Sequence, residues 1–121
     1  MHPRMEKNTD RYSSALECPF CGQALEPPAE VKAGFETFEG GRCACGAVYV
    51  YDRTGRKLGE AMMEALLLIN DGDYDKAFSA EEGGYEEEVV TFYERLGRFA
   101  AGRDRFGERA PKFYFLRRKP L

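Results

Sequence analysis

The sequence has no tryptophan, one histidine and only four cysteines among its 121 residues. The histidine, His2, stands in a polar N-terminal segment, and we interpret it as a solvent-exposed residue, not as a ligand or a general base. The longest apolar stretch, residues 65–69, is much too short to cross a bilayer. The first seven residues contain no apolar run of the kind found in signal peptides. We therefore expect a soluble cytoplasmic protein without a membrane partner.

Acidic and basic residues are unevenly distributed along the chain. Residues 60–94 contain one basic and eleven acidic residues, whereas residues 95–121 contain nine basic and two acidic residues. The formal net charge of −3 is not that of a protein that coats nucleic acid through charge alone. A hydrophobic content of 43%, with nine phenylalanines and seven tyrosines, is sufficient for the core of one compact domain.

The four cysteines form two close pairs separated by 21 residues. They are Cys18, Cys21, Cys43 and Cys45. In a reducing compartment such pairs are more often metal ligands or redox thiols than disulfides, and thiolates are soft ligands that suit zinc. Each pair is followed by a glycine, Gly22 or Gly46, that can adopt the positive φ needed to turn the backbone around a sulfur-bound metal. The pattern predicts one structural Zn²⁺ bound by all four cysteines.

The spacing C-x2-C-x21-C-x-C resembles the zinc-ribbon class, in which two knuckles on β-hairpins hold one zinc ion. The second pair differs from the commonest form, because one residue instead of two separates its cysteines. The resemblance implies a closed four-sulfur site that has no position for water or substrate. Two alternatives stay open: a redox dithiol at Cys18 and Cys21, which requires a helix start after a strand, and a rubredoxin-like iron site.

Periodicity and turn signals predict an α+β fold: a small antiparallel zinc-ribbon sheet packed against two or three helices, with a C-terminal strand. The pattern predicts strand-compatible residues 31–38, a turn at 39–41, a strand at 47–51, a turn at 52–55 and a short return strand at 56–58. It then predicts helices at 60–70, around 74–80 and at 85–102, and a strand at 112–119. We interpret residues 1–15 as a flexible lead-in, 16–58 as the zinc ribbon and 59–121 as a helical extension packed on it.

The sequence lacks a glycine-rich phosphate loop, a nucleophile elbow and a histidine-based dyad, so we expect a non-enzymatic protein. Our functional prediction is a protein-binding or adaptor module. One alternative is a nucleic-acid-binding accessory factor that uses basic and aromatic residues near the C-terminus: Arg103, Arg105, Arg109, Lys112, Tyr114, Arg117, Arg118 and Lys119. The competing interpretation of this stretch places Phe113 and Phe115 in the core, on an edge strand. A thiol redox protein acting through Cys18 and Cys21 is the remaining alternative.

Overall fold

The computed structural model describes residues 12–13, 15–79, 83–93, 97–101 and 110–120. Within them the chain forms seven strands and two helices. The strands are β1 (Tyr12–Ser13), β2 (Ala29–Ala33), β3 (Glu36–Arg42), β4 (Val48–Asp52), β5 (Tyr85–Tyr93), β6 (Arg98–Ala101) and β7 (Lys112–Arg118). The helices are α1 (Leu58–Ile69) and α2 (Tyr74–Phe78). No helix in the described part of the chain is long and apolar enough to cross a membrane.

The described strands form one antiparallel sheet in the order β1-β6-β5-β7-β4-β3-β2. The predicted C-terminal strand is therefore confirmed, but it lies between β5 and β4 and not at an edge. Phe113 and Phe115 are buried, as the core interpretation of this strand requires. Because β4 pairs with β7, the predicted segments 16–58 and 59–121 share one sheet. The predicted lead-in lies mostly outside the described residues, apart from β1, which pairs with β6.

The central strands β4 and β7 are buried on both faces of the sheet. Side chains alternate along a strand, so Val48 and Val50 face the cluster that includes α1, whereas Tyr49 faces the opposite cluster. On β7, Leu116 belongs to the first cluster and Phe115 to the second. Burial on both faces explains why these strands appear in the sequence as continuous apolar runs.

Helix α1 covers one face of the sheet and confirms the predicted helix at 60–70. It buries Ala61, Ala65 and Leu68 against β4 and β7. The short helix α2 is also confirmed. It begins after Asp73, whose carboxylate accepts a hydrogen bond from the backbone N–H of Lys76 at 3.1 Å.

The loop after β4 is organised by the buried carboxylate of Asp52. It accepts hydrogen bonds from the backbone N–H groups of Thr54, Gly55 and Lys57, the last at 2.8 Å. The predicted turn at 52–55 is confirmed by the bond from the Gly55 N–H to the Asp52 carbonyl. The predicted return strand at 56–58 is wrong, because these contacts direct the chain into α1, which begins at Leu58.

Two further expectations from the sequence are wrong. Residues 85–102 were predicted to be helical, but the described residues in this range form β5 and β6. The run Val89–Tyr93 is β-branched and aromatic, and its side chains fit both a helical and a strand period; pairing with β7 decides in favour of the strand. The predicted turn at 39–41 is the second: these residues lie within β3, where Gly40 and Gly41 pair with Val50 and Tyr49 of β4. Glycine is needed at both positions because a side chain there would overlap Tyr49.

Glu64 of α1 makes stability depend on pH. Partial burial raises the pKa of this carboxyl to about 7, and the nearby Glu60, Glu36 and Asp52 add to the effect while Lys57 opposes it. The folded protein therefore holds the proton more tightly than the unfolded chain, and the stabilisation from Glu64 is lost as the pH rises from about 4.5 to about 7. We expect Glu64→Gln to be more stable than the wild type above pH 7, with a difference that shrinks toward about pH 4. Urea denaturation of both proteins across this pH range tests the prediction. A difference in unfolding free energy that does not vary with pH would contradict it.

Candidate metal centre

The first knuckle is the tip of a tight hairpin formed by residues 16–25. The N–H of Gly22 donates to the carbonyl of Cys18 at 2.8 Å, and the N–H of Cys18 donates to the carbonyl of Gln23 at 2.9 Å. An antiparallel bridge between Glu17 and Ala24 closes the hairpin. Gly22 has a φ of 82°, which is the conformation its position after the second cysteine predicts. These hydrogen bonds turn the backbone so that the sulfurs of Cys18 and Cys21 belong to the same four-sulfur group.

The second knuckle is the loop of the β3–β4 hairpin. The N–H of Gly46 donates to the carbonyl of Cys43 at 3.0 Å, and the N–H of Cys43 donates to the carbonyl of Ala47 at 2.8 Å. Gly46 has a φ of 101°, so the single residue between Cys43 and Cys45 is accommodated by a sharper turn. Both knuckles therefore sit at hairpin ends, which is the arrangement that the resemblance to zinc ribbons implies.

The structure brings all four cysteines together. Their sulfur atoms all lie within 4.8 Å of one another. The Sγ atoms of Cys18 and Cys45 are 3.8 Å apart, and those of Cys21 and Cys43 are 3.5 Å apart. A tetrahedral centre with metal–sulfur bonds of about 2.3 Å requires sulfur–sulfur separations of about 3.8 Å. A single residue between Cys43 and Cys45 therefore does not prevent their sulfurs from binding the same ion as those of Cys18 and Cys21. The four sulfurs together have the geometry to hold a metal ion.

The four thiols differ in environment. Burial raises the pKa of Cys18 to about 12 and also raises that of Cys43. At Cys45 burial acts in the same direction, but the backbone N–H of Ala47 and the neighbouring sulfurs lower its pKa to about 7. Cys21 is exposed to solvent. A cation that binds all four as thiolates must displace protons from the buried pair, so its affinity falls as the pH falls.

Residues that the sequence did not single out surround the sulfurs. The side-chain oxygen of Gln23 lies 3.6 Å from the Cys43 sulfur and 4.0 Å from the Cys21 sulfur. Phe20 and Leu25 pack against Cys18, Cys43 and Ala47 in a small apolar cluster. Their position within the first hairpin is the signal that could have found them. This packing leaves Cys18 and Cys43 buried.

The redox alternative needs a helix that starts at the first cysteine pair. Within the described residues, the turn at 19–21 ends at Cys21, Ala24 then forms the bridge to Glu17, and the next helix begins at Leu58. The local structure around Cys18 and Cys21 is thus not that of a thioredoxin-like site.

Among the residues that the structure describes, the basic and aromatic residues near the C-terminus are not gathered on one open surface. Lys112 and Tyr114 are buried, and the Tyr114 hydroxyl donates to Glu87. Arg117 pairs with Glu86, whereas Arg118 donates to the carbonyl of Ile69 and the side-chain oxygen of Asn70. Lys119 is exposed. Arg103, Arg105 and Arg109 lie outside the described residues. A nucleobase therefore cannot stack on the Tyr114 ring in this structure.

Comparison with known proteins adds no relative to this geometry: no protein-family model, curated protein or solved structure matches the chain.

Proposed function

We propose that the chain is a non-enzymatic, zinc-ribbon-like module in which one Zn²⁺, bound by Cys18, Cys21, Cys43 and Cys45, has a structural role. The observation that carries this proposal is the sulfur geometry, with all four atoms within 4.8 Å of one another and hydrogen-bonded turns that fix both knuckles. Four thiolates complete the coordination of zinc and leave no position for a substrate. Metal analysis of protein produced with both zinc and iron available tests the identity of the bound metal. One zinc per chain is expected, and iron in its place would favour the rubredoxin-like alternative.

The role that we propose for the module is to bind a protein partner, through a surface that we call the aromatic ladder. It consists of Phe35, Tyr74 and Phe78. Phe35 lies at the tip of the β2–β3 hairpin with 93% of its surface exposed, and Phe78 is 63% exposed. The ring centroids are 5.8 Å apart between Phe35 and Tyr74 and 5.9 Å apart between Tyr74 and Phe78. Three adjacent rings left in contact with water are typical of an interaction surface.

The ladder is held in a fixed arrangement. The N–H of Phe35 donates to the hydroxyl of Tyr74 at 2.9 Å, which ties the hairpin tip to α2. Exposed acidic residues stand next to the rings in the chain: Glu36 follows Phe35, while Asp73 and Asp75 flank Tyr74. Rigid rings beside carboxylates suit a partner segment that carries apolar side chains together with arginine or lysine.

The partner-binding role is tested with the double variant Phe35→Ser/Phe78→Ser. Met62→Ser is the matched control, because Met62 is another exposed large apolar residue, on α1. The wild type and the two variants, each loaded with metal, are used to enrich proteins from the native host, and each enriched protein is then purified and titrated directly. We expect a basic partner that binds the wild type and Met62→Ser alike and that binds the double variant at least roughly tenfold more weakly, since exposed aromatic anchors often each contribute 1–2 kcal/mol or more. If every partner binds all three proteins equally, the ladder is not the binding surface, whereas the metal proposal is unaffected.

A further inference from the structure

Arg117 of β7 lies beside the candidate metal centre, although 72 positions separate it in sequence from Cys45. The preceding residue, Leu116, pairs with Val48, the first residue of β4. Val48 follows directly on the second knuckle, so β7 places Arg117 alongside that knuckle. Its side chain is 27% exposed, which indicates a partly enclosed charge.

Two contacts hold the Arg117 guanidinium in this position. Its Cζ atom lies 4.7 Å from the centroid of the Phe20 ring, and Phe20 stands between Cys18 and Cys21 in the first knuckle. On the other side, one guanidinium nitrogen lies 3.2 Å and 3.3 Å from the two carboxylate oxygens of Glu86. Arg117 therefore contacts the first knuckle and the neighbouring strand β5 at once.

The electrostatics of the site call for a cation here. A divalent ion with four thiolates carries a charge of about −2, which a partly enclosed position does not screen fully. Burial acts to lower the pKa of Arg117, but the Cys45 sulfur and Glu86 outweigh it and raise the pKa, in keeping with the contacts of the guanidinium with Phe20 and Glu86. Arg42, although next to Cys43 in the chain, is instead directed toward the carbonyl of Leu68 and toward Asp71.

We propose that Arg117 is a positioning residue of the metal centre, whose fixed positive charge beside the two cysteine knuckles increases the affinity of the four thiolates for a divalent cation. The inference rests on the proposed function, because it requires that the cysteines bind metal. It also assigns Arg117 a role within the molecule in place of the phosphate contact considered from the sequence. Groups that contact metal ligands in this way commonly change metal affinity by roughly 10- to 100-fold when they are replaced.

The test is a measurement of Zn²⁺ affinity by competition with a chromogenic chelator, at low salt and at about 1 M salt, where charges are screened within about 3 Å. Arg117→Gln should bind zinc roughly tenfold more weakly than the wild type at low salt, and the difference should narrow at high salt. Arg117→Lys, which keeps the charge, should retain most of the affinity. Arg118→Gln is the matched control: it removes the same charge one residue away, from a side chain directed to Ile69 and Asn70, and should leave the affinity unchanged.

A second comparison covers the case in which Arg117→Gln does not fold because Glu86 is left unpaired. The double variant Glu86→Gln/Arg117→Gln has no unpaired carboxylate, and it should bind zinc more weakly than Glu86→Gln alone. The inference is overturned if Arg117→Gln binds zinc as tightly as Arg118→Gln, if its deficit does not change with salt, or if the double variant matches Glu86→Gln. A wild-type protein that binds no zinc would instead overturn the proposed function, so the two failures are distinguishable.

Discussion

Replacing Cys43 with serine should remove zinc binding and leave a chain that is largely unfolded at temperatures where the wild type is folded. Structural zinc contributes on the order of 10–16 kcal/mol of binding free energy in zinc-finger peptides. A domain of this size has a total unfolding free energy of about 5–15 kcal/mol, so the loss of one ligand is comparable with the whole stability. Thermal denaturation followed by circular dichroism, with and without a chelator, measures the effect. Chelation of the wild type should reproduce the result of the substitution.

The control for this prediction is Cys21→Ser. Cys43 is buried, so its replacement also disturbs packing, whereas Cys21 is exposed and its replacement removes a proposed ligand with little effect on the core. If metal binding supports the fold, both variants lose zinc and both are destabilised by several kcal/mol. A Cys21→Ser variant as stable as the metal-loaded wild type would show that the fold does not depend on the metal.

Replacing Phe115 with alanine should lower the unfolding free energy by about 3–5 kcal/mol, because it removes a large side chain from a closely packed region. Phe115 is fully buried on the central strand β7, and its ring stacks on Tyr49 of β4 with centroids 5.2 Å apart. The backbone around it is paired on both sides, with β4 and with β5, so the strands have little freedom to collapse into the space. Urea denaturation of the metal-loaded protein measures the change.

Phe35→Ala is the matched control for the core prediction, because it makes the same chemical change at a residue that is 93% exposed. It should alter the unfolding free energy by no more than about 0.5 kcal/mol. Equal effects at the two positions would mean that β7 is not the central strand of the sheet, and the contacts of Tyr114 and Arg117 described above would lose their basis.

The sequence was sufficient to predict that the four cysteines come together, and to predict several elements, because local chemistry specifies them. Each knuckle is formed by residues that are neighbours in the chain, so two close cysteine pairs, each followed by a glycine, are enough to predict it. Helix α1 has a pronounced apolar stripe and β7 a continuous apolar run, and both were predicted correctly for that reason.

The parts that the sequence could not predict depend on contacts between distant residues. The side chains of Val89 and Phe92 fit a helix as well as a strand, and the choice depends on pairing with β7, more than twenty residues further on. The acidic residues 86–88 would suit the first turn of a helix, but they lie on β5, where Glu86 pairs with Arg117 of the neighbouring strand β7. Nothing local to Arg117 indicates a metal centre, because its position beside the second knuckle follows from the sheet order.

The most direct test of the central claim is X-ray absorption at the zinc edge of the protein as purified, together with its metal content. We predict one zinc ion per chain with four sulfur neighbours at about 2.3 Å and no nitrogen or oxygen ligand. Such a shell is compatible with the sulfur atoms that the fold already holds within 4.8 Å of one another. A shell of mixed oxygen, nitrogen and sulfur ligands, or the absence of stoichiometric metal from a folded protein, would contradict the account.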